Sequence, residues 1–175
     1  MEQKSGCALD RRDCSRLCTC IYTGILFWTA SEQCSDSMRP ELKNGDVVLV
    51  NRLVYNAMTP KRGDIIAFKP NGRENAHYYI KRIVGLPGET VQIKDGKVYI
   101  NGKEQKKDIF VSEIEKPGVA QDEITLGENE YFVLGDQASS SDDSRMADIG
   151  NVKRSEIYGK IWFNTSVGSN FGFVK

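Results

Sequence analysis

The sequence predicts a mostly β protein built from antiparallel strands, and three observations carry that prediction. Short runs rich in Val, Ile, Tyr and Phe recur between residues 46 and 164, bounded by Gly, Pro, Asp and Asn. Asp95-Gly96 joins two alternating runs, as the centre of a tight type I′ hairpin does. Long helices are hard to place after residue 35. A chain of 175 residues is long enough for one domain with a substantial core.

The predicted elements follow in chain order. A polar stretch at 103–128, with Lys, Glu, Asp and a Pro-Gly pair, is typical of an insertion or extended loop. The sequence VKRSEI at 152–157 has room for one or two helical turns. The strands are predicted at 46–51, 64–69, 78–84, 89–94, 97–102, 131–135 and 160–164.

The N-terminal segment, residues 1–34, differs in composition from the predicted main domain at 35–175. Its stretch from 17 to 31 carries no charge, but as a helix it would span only about 22 Å of a hydrocarbon core of roughly 30 Å. Arginines precede this stretch and acidic residues follow it, which favours an N-terminus inside and the remainder outside. A short hydrophobic helix acting as a signal-anchor, a signal-peptide-like segment and a buried core helix all fit the pattern.

Charge and cysteine positions exclude several classes of protein. Lys and Arg together number 24, as do Asp and Glu, so the chain lacks the basic surplus of a nucleic-acid-binding protein. All five cysteines lie within the first 34 residues. The main domain therefore depends on neither disulfides nor cysteine-bound metal, and the sequence predicts no metal site and no cofactor.

A serine near the start of the domain raises the question of chemistry. Ser37, in CSDSMRPELKNGD, would need a neighbouring base to act as a nucleophile. His77 is the sole histidine, so a Ser-His-Asp triad is possible. Lys81 is the alternative, because its apolar neighbours could lower the pKa of the amine by the roughly 2 units that a general base requires.

Five short sequence motifs favour Lys81 over His77 as the base. SDSMRPELKNGDVVLVN, RGDIIAF, YYIKRIVGLPGETV, YFVLGDQASSSDDSR and IYGKIWF occur in this order. Together they closely resemble the bacterial type I signal peptidases, membrane-bound serine proteases that use a Ser/Lys dyad. The Ser-Met block is shared with self-cleaving repressors of the LexA type, so the resemblance implies the signal-peptidase/LexA-like β-fold. The blocks KRIVGLPGE and GDQ…SDDSR favour the peptidase.

The resemblance implies a role for each matching residue. Ser37 would be the nucleophile and Lys81 the general base, while the Ser37 backbone N–H and the Ser35 hydroxyl would donate to the oxyanion. Ser141 would orient the lysine amine. Further matching positions are the ion pair of Asp143 and Arg145 with Arg82 nearby, and the residues lining shallow apolar pockets for the substrate, Met38, Leu42, Tyr79 and Ile80.

Two features depart from the family pattern. Gln137 and Ala138 follow Gly135-Asp136 where the family usually has Asn and Arg, so we expect a local rearrangement that keeps the dyad. The hydrophobic stretch before the serine is also shorter than the one or two clear anchors of the family.

The implied function is removal of signal peptides from exported preproteins after Ala-x-Ala-like sites, at a membrane lipid surface on the extracytoplasmic face of the cell membrane. The substrate would pair with strand edges near 31–36 and 78–81. The alternative is a non-catalytic, signal-peptidase-like chaperone or binding module for surface-protein or pilus assembly, whose members typically lack the Ser or the Lys. A self-cleaving repressor would need a DNA-binding domain, for which the first 34 residues leave no room.

Overall fold

The computed structural model describes residues 28–32, 36–70, 77–105, 113–166 and 170–174, and for 28–32 it describes the backbone alone. Within these ranges the chain forms strands linked by short turns, with one α-helical turn, α1 (Val54–Ala57), and 3₁₀ turns at Gly118–Gln121, Ala138–Ser140 and Arg154–Glu156. The strands are β1 (Trp28–Glu32), β2 (Val47–Asn51), β3 (Ile65–Phe68), β4 (Tyr79–Gly85), β5 (Thr90–Lys94), β6 (Lys97–Ile100), β7 (Lys103–Glu104), β8 (Ile124–Thr125), β9 (Glu130–Leu134), β10 (Val152–Lys153), β11 (Ile157–Asn164) and β12 (Gly172–Phe173).

These strands form two antiparallel sheets. The larger sheet has the order β1-β2-β11-β3-β4-β9-β10, with β12 pairing with β11, and the smaller sheet has the order β7-β6-β5-β8. The mostly antiparallel β fold predicted from the sequence is therefore confirmed. Neighbours in the larger sheet are distant in sequence, since β11 lies between β2 and β3.

The seven predicted runs each contain a strand. In β2 the buried residues Val48 and Val50 alternate with half-buried neighbours, as the two faces of a strand do. Asp95 (φ 51°) and Gly96 (φ 74°) are both left-handed, as a type I′ turn requires, and they join β5 to β6.

A second tight hairpin follows directly. Asn101 (φ 50°) and Gly102 (φ 73°) turn the chain from β6 into β7, where Ile100 pairs with Lys103. The strand predicted at 97–102 therefore ends at Ile100. An Asn-Gly pair is a strong hairpin signal, so this turn was also predictable from the sequence.

The region 103–128 contains more regular structure than a loop. It includes β7, β8 and the 3₁₀ turn at Gly118–Gln121, while 106–112 lie outside the described residues. Ile114, Ala120 and Leu126 are buried and pack in the cluster beneath the smaller sheet. These scattered apolar side chains anchor an otherwise polar segment.

Two further segments differ in detail from the sequence prediction. At 152–157 the chain forms β10, a single 3₁₀ turn and the start of β11. Of the hydrophobic stretch 17–31, residues 17–27 lie outside the described part, and 28–31 belong to β1, which pairs with β2 from Trp28↔Asn51 to Glu32↔Val47. Over the part of the chain that is described, no helix is both long and apolar enough to cross a bilayer.

One apolar cluster supports the turn that carries Ser37. Met38 and Leu42, both fully buried, pack against the larger sheet together with residues of β2, β3, β4 and β11. Complete burial of such side chains contributes about 1.5–3 kcal/mol each. The position of the serine backbone is therefore fixed by core packing.

Candidate active site

Ser37 lies in a tight turn that precedes β2. The Arg39 N–H donates to the Asp36 carbonyl at 3.2 Å, and the Leu42 N–H donates to the Met38 carbonyl at 2.8 Å. The Asp36 carboxylate accepts the Asn44 N–H at 3.2 Å, which ties the start of the turn to its end. Ser37 itself is 1% exposed. The turn thus presents its hydroxyl toward the protein interior, where solvent competes little for it.

Lys81 reaches this turn from β4. Its backbone pairs with Ile66 of β3, near the middle of the larger sheet, and its side chain is 3% exposed. The Lys81 Nζ donates to the Ser37 Oγ at 2.6 Å. The two residues that the sequence predicts as a dyad are therefore in direct hydrogen-bond contact.

Burial changes the acid–base behaviour of this amine. Desolvation lowers the pKa of Lys81 from 10.5 to about 8, because the charged form loses its hydration. Nearby Asp143, Asp142 and Asp136 act in the opposite direction, and Arg145 adds to the lowering. A substantial fraction of Lys81 is thus neutral at mildly alkaline pH, with a lone pair available to accept a proton.

Asp143 and Arg145 form the predicted ion pair. The Arg145 Nε donates to Asp143 Oδ1 at 2.8 Å and a terminal nitrogen donates to Oδ2 at 2.9 Å, with both residues buried. The carboxylate also accepts the Gly135 N–H at 3.2 Å. Arg145 in turn donates to the carbonyls of Ala138 (2.6 Å) and Lys116 (3.1 Å). This network connects the end of β9, the 138–140 turn and the segment before β8.

Arg82 has a partner that the sequence analysis did not single out. Its Nε and a terminal nitrogen donate to the Asp136 carboxylate at 2.7 and 2.6 Å, and another nitrogen donates to the Gly63 carbonyl at 2.9 Å. Burial raises the pKa of Asp136 above its ordinary value, against the lowering effect of Arg82. This second buried ion pair links Arg82, on β4, to Asp136, just after the end of β9.

Gly135 permits a close approach between the two halves of the site. A Cβ at this position would lie 2.2 Å from the Ser141 Oγ and 2.7 Å from the Ser37 carbonyl oxygen. The Gln137 N–H donates to that same carbonyl at 2.9 Å. The segment after β9 therefore holds the backbone of Ser37 directly. The departure at Gln137 and Ala138 leaves the Ser37–Lys81 contact in place, as the sequence analysis expected.

Ser141 lies near Ser37 and Lys81. It does not form the hydrogen bond to the Lys81 amine that the resemblance implies. Its Oγ is buried and has no hydrogen-bond partner among the described residues. Its proposed role in orienting the Lys81 amine stays a prediction. Ser35 lies outside the described residues. His77 is exposed two residues before β4 begins, four positions before Lys81.

The four residues predicted to line substrate pockets occupy two apolar clusters. Met38, Leu42 and Ile80 are buried at 0%, 0% and 4% exposure in one cluster, and half-buried Tyr79 packs against the other. Their packing is that of core residues. The pocket role stays a prediction.

The edge of β4 next to Lys81 extends past the end of its neighbour. On one side, Tyr79, Ile80 and Lys81 pair with β3. On the other side, the pairing with β9 runs from Gly85↔Phe132 to Arg82↔Leu134, where β9 ends. The backbone of Tyr79–Lys81 thus has a second edge beyond the end of β9, immediately beside the dyad.

Comparison with known proteins identifies the family. The family described as signal peptidase, peptidase S26, matches residues 15–165. The chain belongs to this family. Signal peptidase I P of Bacillus subtilis subsp. natto is 36% identical over 132 residues, covering 71% of this chain and 69% of that protein. Signal peptidase I T of Bacillus subtilis (strain 168) is 38% identical over 130 residues, covering 70% and 66%.

A crystal structure of a signal peptidase I from Enterococcus faecalis V583 is 36% identical and has a TM-score of 0.45, covering 59% of this chain and 97% of that one. Membership of the signal peptidase family confirms the resemblance inferred from the five sequence blocks. It also confirms the predicted enzyme class, a serine endopeptidase of the signal peptidase I type.

The site residues to which the sequence analysis assigned no role share one property. Asp136, Gly135 and the backbone of Gln137 act through contacts with Arg82, Ser141 and Ser37, which lie elsewhere in the chain. The Gly-Asp pair at the end of a predicted strand was the available signal, since a buried strand followed by an acid often places a charge at a site.

Proposed function

We propose that this signal peptidase family member removes N-terminal signal peptides from exported preproteins, cutting after small residues at Ala-x-Ala-like sites, with Ser37 as nucleophile and Lys81 as general base. The observation that carries the proposal is the 2.6 Å contact between Lys81 Nζ and Ser37 Oγ, with both residues nearly inaccessible to solvent. Nucleophile and base within hydrogen-bond reach are what activation of a serine requires.

Acylation begins from the neutral amine. Lys81 accepts the hydroxyl proton as the Ser37 Oγ forms a bond to the scissile carbonyl carbon, giving a tetrahedral intermediate and a lysine ammonium. The ammonium then gives that proton to the leaving amine nitrogen as the peptide bond breaks. The signal peptide remains as an ester on Ser37. Deacylation repeats the sequence with water as the nucleophile, and Lys81 again takes and returns the proton.

The developing oxyanion needs donors already in position. The backbone N–H of Ser37 and the hydroxyl of Ser35 fill that role in this proposal. Packing of Met38 and Leu42 and the hydrogen bond from the Gln137 N–H to the Ser37 carbonyl support it, because they fix the peptide plane on either side of the nucleophile. A fixed donor costs little reorganisation when the charge appears.

The edge of β4 offers a binding mode for the substrate. An extended preprotein segment adds a strand along Tyr79–Lys81, beyond the end of β9, with 31–36 on its other side. Backbone hydrogen bonds along that edge bring one peptide bond beside Ser37. Apolar side chains from the Met38 cluster limit the residues before the cut to small ones.

Location follows from the substrate. Signal peptides are embedded in the membrane while exported proteins emerge from it, so the catalytic domain acts at the lipid surface on the extracytoplasmic face. The uncharged stretch 17–31, with arginines before it, supports this orientation.

The decisive experiment compares matched variants in one cleavage assay. Ser37→Ala and Lys81→Met are incubated with a model preprotein in detergent across pH, beside the controls Ser155→Ala and Lys94→Met at exposed positions. The new N-terminus is then sequenced. We expect cleavage after a small residue in the wild type and both controls, and loss of about 10³-fold or more in each dyad variant. A dyad variant that folds and retains full activity would remove the proposal.

A further inference from the structure

A second site lies at one end of the larger sheet, apart from the dyad. A cavity of about 350 Å³ opens where the end of β2, α1 and the start of β11 meet. Arg52, Tyr55, Arg154 and Tyr158 line it, together with Asn56 and apolar neighbours. None of its described lining residues is acidic. Two guanidinium groups therefore face one cavity that supplies no carboxylate.

These two arginines differ from the others that the structure describes. Neither Arg52 nor Arg154 forms an ion pair within the described ranges. The remaining described arginines each have a carboxylate partner: Arg39 with Asp36, Arg62 with Glu89, Arg82 with Asp136 and Arg145 with Asp143. Among the described arginines, the two without a carboxylate partner are thus the two that line one cavity.

Aromatic rings hold both guanidinium groups in place. Arg52 lies 4.6 Å from the centroid of the Tyr158 ring, and Arg154 lies 5.4 Å from that of Tyr55. A terminal nitrogen of Arg154 also donates to the Tyr55 carbonyl at 2.6 Å. Stacking on tyrosine orients a planar guanidinium and leaves its edge N–H groups free to bind a ligand.

Asp64, an acid that contacts Tyr55, already pairs with other groups. Asp64 accepts the Tyr55 hydroxyl at 2.9 Å and the Lys160 amine at 2.6 Å, so its charge is already compensated. Glu128 lines an adjoining cavity, which also borders Arg154. Two like charges around an open cavity repel each other unless an anion lies between them.

We propose that this cavity, the Arg52–Arg154 pocket, binds a phosphate-type anion between the two guanidinium groups. Arginine matches the oxygen geometry of a phosphate with paired N–H donors. None of the pocket's residues belongs to the dyad, so the site is a function additional to cleavage.

The surroundings bear on the source of the phosphate. The Tyr158 ring lies 4.5 Å from that of Tyr78, and the Lys69 Nζ lies 4.8 Å from the Tyr78 ring. A row of cations and tyrosines thus runs from Arg52 to the start of β4. Tyrosines with basic residues are typical of protein surfaces at the headgroup level of an anionic membrane. A lipid headgroup and free phosphate present the same chemistry to the pocket.

Binding is measured on the intact protein with two probes. Inorganic phosphate is titrated while the arginine side-chain N–H signals are followed by NMR, and co-sedimentation is measured with vesicles of phosphatidylglycerol or of phosphatidylcholine. The variants are Arg52→Gln and Arg154→Gln, and the control is Lys94→Gln, which removes one exposed charge on the smaller sheet. Circular dichroism melting establishes that each variant folds; Arg52 is exposed, so its replacement keeps the test available if Arg154→Gln unfolds.

We expect each arginine variant to bind at least about tenfold more weakly, because each loses a charge-assisted contact, while Lys94→Gln binds as the wild type does. Saturable binding of inorganic phosphate that depends on both arginines supports a site for the free anion. Binding to phosphatidylglycerol vesicles alone, with the same dependence, supports a headgroup site. Absence of binding to both probes, or binding unaffected by Arg52→Gln, overturns the proposal. Preprotein cleavage in detergent is measured separately and reports on the dyad alone.

Discussion

The Nζ of Lys81 lies 2.6 Å from the Oγ of Ser37, although the two residues are 44 positions apart in the chain. The serine is fixed by a turn packed on the apolar core, and the lysine by pairing inside the larger sheet. Because both supports are rigid, the contact exists before substrate binds. In the proposed mechanism, the rate of cleavage therefore depends chiefly on the protonation state of the Lys81 amine.

Cleavage should follow the titration of Lys81. Since burial lowers its pKa to about 8 and the neutral form is the base, kcat/KM should rise with pH and reach half its plateau near that value. At pH 6 the rate should be about one hundredfold below the plateau. Steady-state cleavage of a peptide substrate between pH 5 and 10 measures this. A rate that stays level down to pH 6 would contradict a lysine base.

The pH dependence of the free energy of unfolding tests the pKa of Lys81 without any substrate. The unfolded chain holds the Lys81 proton up to its ordinary pKa, 10.5, while the folded protein releases it near 8. Between those values the unfolded state binds more protons, so the stability term from Lys81 is present above pH 10.5 and is lost as pH falls through 8. Urea unfolding should show wild type gaining about 3 kcal/mol relative to Lys81→Met between pH 8 and 10.5.

Gly118 should influence the pH profile from a distance. Its φ is +60°, and a Cβ there would lie 2.2 Å from the Arg145 carbonyl oxygen. We expect Gly118→Ala to displace Arg145 from Asp143. The exposed carboxylate charge would then raise the pKa of Lys81 and move the acid limb of kcat/KM to higher pH, by roughly half a unit.

The control for Gly118 is Gly102→Ala. Gly102 is also left-handed (φ +73°), but a Cβ there meets nothing within 4 Å. Both variants should lose some stability through backbone strain, and only Gly118→Ala should shift the pH profile. Equal profiles in the two variants would show that the contact with Arg145 does not reach the dyad.

Ser141 and Ser144 should respond in opposite ways to removal of the hydroxyl. The buried Ser141 Oγ has no hydrogen-bond partner among the described residues, so Ser141→Ala should leave the free energy of unfolding unchanged or raise it. Ser144 accepts the Val133 N–H at 3.0 Å, so Ser144→Ala should cost about 1–3 kcal/mol.

Measurement of kcat then separates a structural role of Ser141 from a catalytic one. If Ser141 orients the Lys81 amine during the reaction, Ser141→Ala should lower kcat by about tenfold or more while the protein remains as stable as wild type. Denaturant melts and cleavage kinetics on the same samples measure both quantities. Wild-type kcat in this variant would exclude an orienting role for Ser141.

Removing only one partner of the ion pair between Arg82 and Asp136 should lower the free energy of unfolding strongly. Arg82→Met leaves the Asp136 carboxylate buried without its main partner, and we expect a loss of about 3–5 kcal/mol. Adding Asp136→Asn removes that charge and should restore part of the loss. Urea unfolding of both variants measures the difference.

The comparison for this pair is Arg39→Met. Arg39 forms an ion pair with Asp36 at 2.8 Å, but both side chains are about half exposed. Its loss should cost much less stability than the loss of Arg82, because solvent screens an exposed pair. A similar cost for Arg82→Met would mean that the buried pair contributes little to the fold.

The sequence by itself predicted the strands, the first hairpin and the pairing of Ser37 with Lys81. Short runs of β-branched and aromatic residues and the Asp95-Gly96 turn are local patterns that elementary sterics fix within a few residues. Ser37 and Lys81 were found from ordered sequence blocks, because the chemistry requires those residue types whatever surrounds them. The shape of 103–128 was less evident, since three buried apolar residues among many polar ones give little period.

Only the tertiary structure determined the environment of Ser37 and Lys81. The pKa of Lys81, the pairing of Arg82 with Asp136 and the approach of Gly135 to Ser37 all depend on β4 and the end of β9 lying together. The placement of Arg52 and Arg154 around one cavity likewise depends on β2 lying beside β11. Desolvation, charge pairing and contact act between atoms close in space, and a sequence records only which residues are close along the chain.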